Sequence, residues 1–326
     1  MKQPLTRRDL LRTAAATAVV VVLPTPLLAC VSRQRPAASS TPASVPPMAT
    51  GRAPEQDEDR QRLTAWAGTL RTEHLTSAAT PLGGAAVRVG ELAVGTPYVA
   101  FTLEEYLRAG GSPTATESLY LSLTRFDCVS LVESCLAVAR VADDAVAPTW
   151  EGFGREVERM RYRAGIRGSY ASRLHYFSEW ISDGERRGLV RDLGAELGGI
   201  EDARPLRFMT EHRASYPGLA DDSVFQAIGA MERSLDDKPR RVIPTDRIDA
   251  VSDRIESGDV LAFATSIPGL DVSHAAFAYR DASGVLRVLH APLSGGAVEV
   301  TRTTLPEYVA AIRRATGILV ARPLRA

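Results

Sequence analysis

The stretch Phe126-Asp127-Cys128-Val129-Ser130-Leu131-Val132-Glu133 decides the fold, because it places a cysteine at the start of a predicted amphipathic helix. Asp127 is a residue type that caps helices by accepting hydrogen bonds from the N–H groups of the first turn. The positive end of the helix dipole then favours a thiolate at Cys128. The alternative is a small, buried core cysteine, which is the common role of a free cysteine. The residues downstream therefore have to separate a nucleophile from a core position.

The helix from Asp127 to Arg140 has an apolar face, so it needs a second layer to pack against. Beyond Asp246 the pattern changes to short strands separated by Gly-rich turns, which predicts an antiparallel sheet. A sheet packed on the cysteine helix is an α+β arrangement. Further helices are predicted at residues 58–75 and 102–110, a large helical insertion at about 150–245, and strands at 260–264, 274–279, 285–290 and 297–301.

Two of the predicted strands carry histidines that can meet. Residues 274–279 and 285–290 read as a hairpin through Asp281-Ala282-Ser283-Gly284. A loop of three or five residues places His274 opposite His290, with Cβ atoms about 5 Å apart on one face, whereas an even loop places them on opposite faces. Gly284 suits the left-handed position of an odd loop. The hairpin thus predicts one imidazole orienting the other.

These residues predict a cysteine hydrolase triad of Cys128, His274 and His290. His274 takes or holds the thiol proton, His290 fixes the tautomer of His274, and the thiolate attacks a carbonyl carbon. Asp271, three residues before His274, is a weaker candidate for the orienting role, because its position favours the turn that enters the strand. Histidines with a purely structural role are the alternative to this triad.

The remaining composition argues against several other functions. The chain has 39 basic and 39 acidic residues and no dense basic stripe, so a nucleic-acid partner is not expected. Its five histidines lack the spacings of common metal sites, and we expect neither a metal nor another cofactor. Cys135 lies seven residues, about 10 Å, along the helix from Cys128, which is too far for a disulfide. Its helical face predicts a core position.

The N-terminus predicts export. Thr6-Arg7-Arg8-Asp9-Leu10-Leu11-Arg12 has the paired arginines of a Tat signal, followed by an apolar run from Ala14 to Leu23. Leu27-Leu28-Ala29-Cys30 resembles a bacterial lipobox, which makes Cys30 the predicted lipidation site; cleavage without lipidation is the alternative. We therefore predict a signal peptide at residues 1–30, a disordered Pro/Ser/Ala/Thr-rich tether at 31–57, and a single catalytic domain at 58–326, anchored to a membrane in the cell envelope.

Several separated motifs resemble the N-acetylmuramoyl-L-alanine amidase-like family. The resemblance covers about residues 65–326 and implies a papain-like, NlpC-type core and cleavage of the amide between N-acetylmuramic acid and L-alanine in peptidoglycan or muropeptides. The family's cysteine, histidine and third polar residue correspond to Cys128, His274 and His290. The motifs are the stretch at 126–133, Ser172-Arg173-Leu174-His175-Tyr176-Phe177, Phe208-Met209-Thr210, Gly258-Asp259-Val260, Leu270-Asp271-Val272-Ser273-His274 and Leu289-His290-Ala291.

The resemblance also suggests substrate contacts. Arg173 could hold a stem-peptide carboxylate, Tyr176 could pack on sugar or peptide, and His175 and Asp127 are further candidates. The alternative is that this segment packs the helical block on the core. Ala291-Pro292-Leu293 departs from the small hydroxyl residues that often follow the family's His-Ala pair, which affects a local substrate contact.

Three other functions remain open at this point. A stem-peptide endopeptidase would keep the fold and mechanism and move the scissile bond. A lipoprotein that binds cell-wall fragments would not turn them over. A transglutaminase-like acyl transferase would share the cysteine and histidine and use an amine as acceptor.

Overall fold

The computed structural model describes residues 53–143, 146–293 and 296–325. The predicted signal peptide, Cys30 and most of the predicted tether lie outside the described residues. The last residues of that tether, 53–57, belong to the first helix, so the folded part begins earlier than predicted. Within the described ranges, no helix combines the length and the apolar character needed to cross a membrane.

The described residues form a sheet of eight strands in which every pair is antiparallel. The strands are β1 (Val190–Asp192), β2 (Ile200–Asp202), β3 (Arg240–Pro244), β4 (Val260–Thr265), β5 (Val272–Arg280), β6 (Leu286–His290), β7 (Glu299–Val300) and β8 (Ala315–Pro323). Their order is β2-β3-β8-β4-β5-β6-β7, and β1 also pairs with β8. The strand β8 therefore joins β1 and β3 to the strands that carry the histidines.

Helices cover both faces of this sheet. They are α1 (Ala53–Thr72), α2 (Leu82–Leu92), α3 (Glu105–Arg108), α4 (Cys128–Asp143), α5 (Trp150–Arg161), α6 (Phe177–Arg186), α7 (Phe208–Glu211), α8 (Asp222–Ser234), α9 (Ile248–Val251) and α10 (Leu305–Ala311). One core lies between α1, α2, α4, α5 and α6 and the sheet face that carries Ala262 and Phe277. A second core lies under α9 and α10 on the opposite face, which carries Phe263 and Val288. Alternating buried residues along β4 and β5 thus serve two cores at once.

The structure confirms the α+β class and the predicted antiparallel sheet. All four predicted strands are present, with β5 two residues longer at its start and β7 reduced to Glu299–Val300. The block from 150 to 245, predicted as a helical insertion, also contributes β1, β2 and β3, which pair with each other or with β8. The first two have three residues each, too few to show alternation in a sequence.

Two glycine contacts seat α2 against the sheet. Gly258 has a φ of +93°, and a Cβ there would lie 2.1 Å from the carbonyl carbon of Gly83, which is in α2. A Cβ on Gly90, in the same helix, would lie 2.7 Å from Cδ2 of Leu289 in β6. Both approaches are shorter than carbon atoms tolerate. At Gly258 the obstacle is main chain, so only glycine lets α2 reach its observed distance from the sheet, whereas at Gly90 the obstacle is the end of a flexible side chain.

Candidate active site

The helix α4 begins at the predicted nucleophile, and its first turn is capped as expected. Ser130 N donates to Asp127 Oδ1 at 2.7 Å, while Asp127 N donates to Ser130 Oγ at 2.8 Å. This reciprocal pair satisfies two N–H groups and fixes the direction in which the chain enters the helix. Cys128 is half-buried, whereas Cys135 is fully buried and its burial raises the thiol pKa. Only Cys128 of these two free cysteines is therefore accessible for chemistry.

A short loop pairing holds the chain just before Cys128. Phe126 is fully buried, its N–H donates to Pro97 O at 3.0 Å, and its carbonyl accepts from Val99 N at 2.8 Å. The segment at 97–99 therefore runs alongside the start of α4. Backbone hydrogen bonds on one side and the Asp127 cap on the other give the cysteine a fixed position.

The two predicted histidines meet. His274 Nε2 lies 2.8 Å from His290 Nδ1, within hydrogen-bond distance, and the ring centroids are 5.0 Å apart. The loop between β5 and β6 has an odd length, which puts both rings on the same face as predicted. The predicted register, with His274 directly opposite His290, is wrong. The observed ladder pairs Phe277 with Leu289 and Arg280 with Leu286, so the pairing is displaced by two residues along β5. His274 is consequently a diagonal neighbour of His290 and reaches it through the length of the two side chains.

Two aromatic rings complete what we call the histidine cluster, made of His274, His290, Phe263 and Tyr308. Phe263 stacks on His274 with centroids 5.6 Å apart. Tyr308, in α10, lies edge-on to His290 with centroids 5.1 Å apart, and its hydroxyl is 3.4 Å from His290 Nδ1. These rings pack against both imidazoles, and His290 is fully buried.

Burial controls protonation in the histidine cluster. Desolvation, followed by the charge of His290, lowers the pKa of His274 well below its ordinary value. Burial lowers the pKa of His290 from 6.5 to about 4. Both imidazoles are therefore neutral near pH 7 and able to accept a proton. Burial also raises the pKa of Tyr308, with contributions from the charges of Glu299 and Cys128. The helix α4, which begins at Cys128, packs against β5, the strand that carries His274.

The far nitrogen of His290 lacks a hydrogen bond within the described part of the chain. His290 is fully buried, yet among the residues that the structure describes no group forms a hydrogen bond with its Nε2. Glu299 is its cross-strand partner in β7 and brings Oε1 to within 3.6 Å of that nitrogen. The carboxylate therefore stands just outside hydrogen-bond distance.

Arg173, predicted to contact substrate, lies in a buried ionic group. Its guanidinium pairs with Glu104 at 2.9 Å and with Glu117 at 3.5 Å, and the side chain is 3% exposed. Tyr162 donates its hydroxyl to Glu117 at 3.1 Å. We call Arg173, Glu104, Glu117 and Tyr162 the arginine cluster. These contacts favour the packing alternative for Arg173 over a guanidinium that faces a ligand.

Tyr176 and His175 also have internal partners. Tyr176 is 1% exposed and donates its hydroxyl to Glu232 at 2.7 Å. His175 Nε2 lies 2.9 Å from the carbonyl oxygen of Tyr170, and the two rings are in contact. Tyr176 thus fits the packing alternative, while substrate contact by His175 and Asp127 stays a prediction.

Asp271 takes the turn position rather than the orienting one. Its Oδ2 accepts a hydrogen bond from Ser178 N at 2.8 Å and its Oδ1 from Val272 N at 2.7 Å. Burial raises the pKa of this carboxyl group. The residue ties the start of β5 to the start of α6, and the carboxylate is engaged away from the histidine pair.

Phe263, Tyr308 and Glu299 are site residues that sequence reasoning missed. The signal for Glu299 was present, since a residue opposite a strand histidine shares its face. Tyr308 comes from a short helix that lies between β7 and β8 in the sequence, and no local pattern links it to His290. Its position depends on the packing of α10 against the sheet.

Comparison with known proteins identifies a family and solved structures that resemble this chain. The family model described as AmiA-like, N-acetylmuramoyl-L-alanine amidase-like, matches residues 88–318, more than half of the chain. No curated protein sequence matches the chain significantly.

Solved structures give a consistent picture of the fold. An N-acetylmuramoyl-L-alanine amidase from Bacteroides uniformis is 29% identical, with a TM-score of 0.68 over 74% of this chain and 99% of that one. A Bacteroides fragilis protein named as a candidate xylanase is 33% identical, with a TM-score of 0.65 over 72% and 99%. A Legionella pneumophila protein is 18% identical, with a TM-score of 0.60 over 83% and 96%, and shares the fold.

Proposed function

Because the chain belongs to the N-acetylmuramoyl-L-alanine amidase-like family, we propose that it hydrolyses the amide bond between N-acetylmuramic acid and L-alanine in peptidoglycan or muropeptides. The observation that carries the proposal is the hydrogen bond between His274 Nε2 and His290 Nδ1, together with Cys128 at the capped start of α4, the helix that packs against the His274 strand β5. A nucleophile, a base and a group that orients the base are the parts that acyl transfer requires.

The proposed mechanism gives the two histidines different roles in their shared hydrogen bond. In the proposed mechanism His274 carries its proton on Nε2 and donates it to His290 Nδ1. Its Nδ1 then has a free lone pair and accepts the proton of the Cys128 thiol. Neutral imidazoles meet this requirement, and the lowered pKa values of His274 and His290 keep them neutral near pH 7.

The reaction then proceeds in two steps, acylation of Cys128 and hydrolysis of the resulting thioester. Cys128 Sγ attacks the carbonyl carbon of the muramic acid lactyl group, and a C–S bond forms. The C–N bond to L-alanine breaks as protonated His274 returns its proton to the leaving amine. Water then attacks the thioester while His274 takes one of its protons. Breaking the C–S bond restores the thiol and releases the muramic acid carboxyl group.

We further propose that the core is of the papain-like, NlpC type. Support comes from α4, which starts at Cys128 and packs on an antiparallel sheet, and from histidines on adjacent strands β5 and β6. The xylanase name of one relative concerns glycosidic bonds, whose hydrolysis uses a pair of carboxylates. The accessible cysteine and neutral histidines favour amide chemistry for this chain.

Mass spectrometry of defined muropeptides incubated with the full chain tests the proposal. We expect the parent to separate free stem peptide from the sugar, and the Cys128→Ala variant to leave the substrate intact. Cleavage within the stem peptide would reassign the chain as an endopeptidase. Transfer to an added amine would indicate an acyl transferase, and binding without turnover would indicate a cell-wall-fragment receptor.

We also propose that the protein is exported by Tat and anchored to the envelope membrane through a lipid on Cys30. The support is the sequence of residues 1–30 alone. Metabolic labelling with a radioactive fatty acid tests this. We expect label in the parent and its loss in Cys30→Ser, together with release of the variant from the membrane fraction; an unlabelled parent would contradict the anchor.

A further inference from the structure

The proposed mechanism requires a hydrogen-bond acceptor for the Nε2 proton of His290. When His274 donates from Nε2, His290 must accept at Nδ1, so the single proton of the neutral His290 ring is on Nε2. That N–H is buried and forms no hydrogen bond with any described residue. A buried donor without an acceptor is unfavourable, so the required tautomer is disfavoured unless a neighbour accepts its proton.

Glu299 is the neighbour placed to accept it. The ladder between β6 and β7 pairs Glu299 directly with His290, and directly paired residues project from the same face of a sheet. Its Oε1 is 3.6 Å from His290 Nε2, and its side chain is 53% exposed. An exposed glutamate retains rotamer freedom, so a small torsional change brings the oxygen within hydrogen-bond distance. Such contacts commonly tighten when substrate binds.

The other polar groups around His290 cannot replace Glu299. His274, in β5, and Tyr308, in α10, both approach Nδ1. Among these groups, Glu299 alone is an acceptor near Nε2.

We propose that Glu299 is a positioning residue that accepts the Nε2 proton of His290 and thereby fixes the tautomers of both histidines. This proposal rests on the proposed function. Without Glu299 the His290 proton moves to Nδ1, and His274 Nε2 becomes the acceptor of the shared hydrogen bond. The His274 proton then occupies Nδ1, where it blocks transfer from the thiol. A single carboxylate thus sets the donor and acceptor in each hydrogen bond of the series that runs from Glu299 through the two histidines to Cys128.

Nitrogen NMR of the full chain labelled with ¹⁵N-histidine tests the tautomer without any substrate. We expect the parent to show His290 protonated at Nε2, and Glu299→Ala to move population to the Nδ1–H form. Glu299→Gln keeps an acceptor oxygen and should retain most of the parental tautomer. A parent protonated at Nδ1, or a tautomer unchanged in Glu299→Ala, would overturn the proposal.

Kinetics on muropeptides supply the second measurement. We expect Glu299→Ala to lower kcat by about 10- to 100-fold with little change in KM, and Glu299→Gln to lower it less. Glu201→Gln is the matched control, because Glu201 is also a strand glutamate with a half-exposed side chain, 54%, and lies in β2. A kcat for Glu299→Ala equal to that of the parent would overturn the proposal.

The two measurements separate the possible failures. If the parent leaves every muropeptide intact, the proposed function fails, whereas the NMR comparison still decides the role of Glu299. If the parent is active and Glu299→Ala loses activity with an unchanged His290 tautomer, the proposed function stands and the positioning role is wrong.

Discussion

The histidine cluster and the arginine cluster both hold polar side chains away from water, but they satisfy them differently. In the arginine cluster, the guanidinium of Arg173 pairs with the carboxylates of Glu104 at 2.9 Å and Glu117 at 3.5 Å, and the Tyr162 hydroxyl donates to Glu117. In the histidine cluster, two neutral rings share one hydrogen bond, and His290 Nε2 has no hydrogen-bond partner among the described residues.

The difference teaches how one fold divides its polar groups. A fully paired ionic group stabilises the fold only while it is complete, because removal of one member leaves a buried charge without a partner. An open group of neutral bases can take up a proton and release it again. Variants in the arginine cluster should therefore lose stability, and variants in the histidine cluster or at Cys128 should lose activity.

The largest effect is expected at the nucleophile. Cys128→Ala should lower kcat by roughly 10⁴-fold or more, because no other group forms the thioester, while the thermal midpoint stays close to that of the parent. Cys135→Ala is the control on the same helix: it removes a buried sulfur, so it should lower stability and keep turnover. Activity measurements and thermal unfolding of both variants check this, and an active Cys128→Ala would contradict the mechanism.

Arg173→Met should give the next largest effect, on stability. It leaves Glu104 and Glu117 without their cation, and breaking such a buried pair costs about 3–5 kcal/mol of unfolding free energy. Arg191→Met is the control, because Arg191 is 50% exposed and pairs with Glu196 at 3.7 Å; we expect a change of less than about 0.5 kcal/mol. Urea unfolding measures both. A specific rise in KM for an otherwise stable Arg173→Met would instead favour the substrate role.

The pH dependence of stability should report His290. Its pKa is about 4 in the folded protein and near 6.5 when unfolded, so unfolding takes up a proton between these values. Stability is consequently complete above pH 6.5 and falls as the pH drops towards 4. The loss from pH 7 to 4.5 should be roughly 2–3 kcal/mol from this group. His290→Asn should lose less over the same range in urea unfolding, and equal losses would contradict the assignment.

Tyr176→Phe should have the smallest effect. It removes one of the hydrogen bonds to Glu232, which also accepts from the amides of Met209 and Thr210. We expect a loss of about 1–2 kcal/mol in unfolding free energy and no change in KM. A several-fold rise in KM with unchanged stability would show that Tyr176 contacts substrate after all.

Local patterns in the sequence were enough for the parts of the site that depend on adjacent residues. The Asp127 cap, the buried position of Cys135 and the shared face of His274 and His290 follow from helix and strand periodicity. The exact hairpin register did not follow, because three- and five-residue loops both satisfy the parity of the pattern. The structure uses the five residues 281–285.

Features that depend on long-range packing were not predictable. Arg173 sits in a segment whose motif suggested ligand contact, and its carboxylate partners lie 69 and 56 residues earlier, at Glu104 and Glu117. Nothing local in either part shows that they meet. Tyr308 likewise reaches His290 through the packing of α10. Long-range contacts of this kind decide whether a polar residue serves structure or chemistry.

The glycines that seat α2 also define two kinds of evolutionary constraint. A side chain at Gly258 would collide with the main chain of Gly83, and no substitution elsewhere can shrink a main chain, so this position has no compensating partner. A side chain at Gly90 would collide with the end of Leu289, which a smaller residue would relieve. Gly90→Ala and Leu289→Val should therefore be epistatic, each tolerated better with the other. Because Leu289 precedes His290, a substitution at Gly90 in α2 can change the position of a proposed catalytic residue.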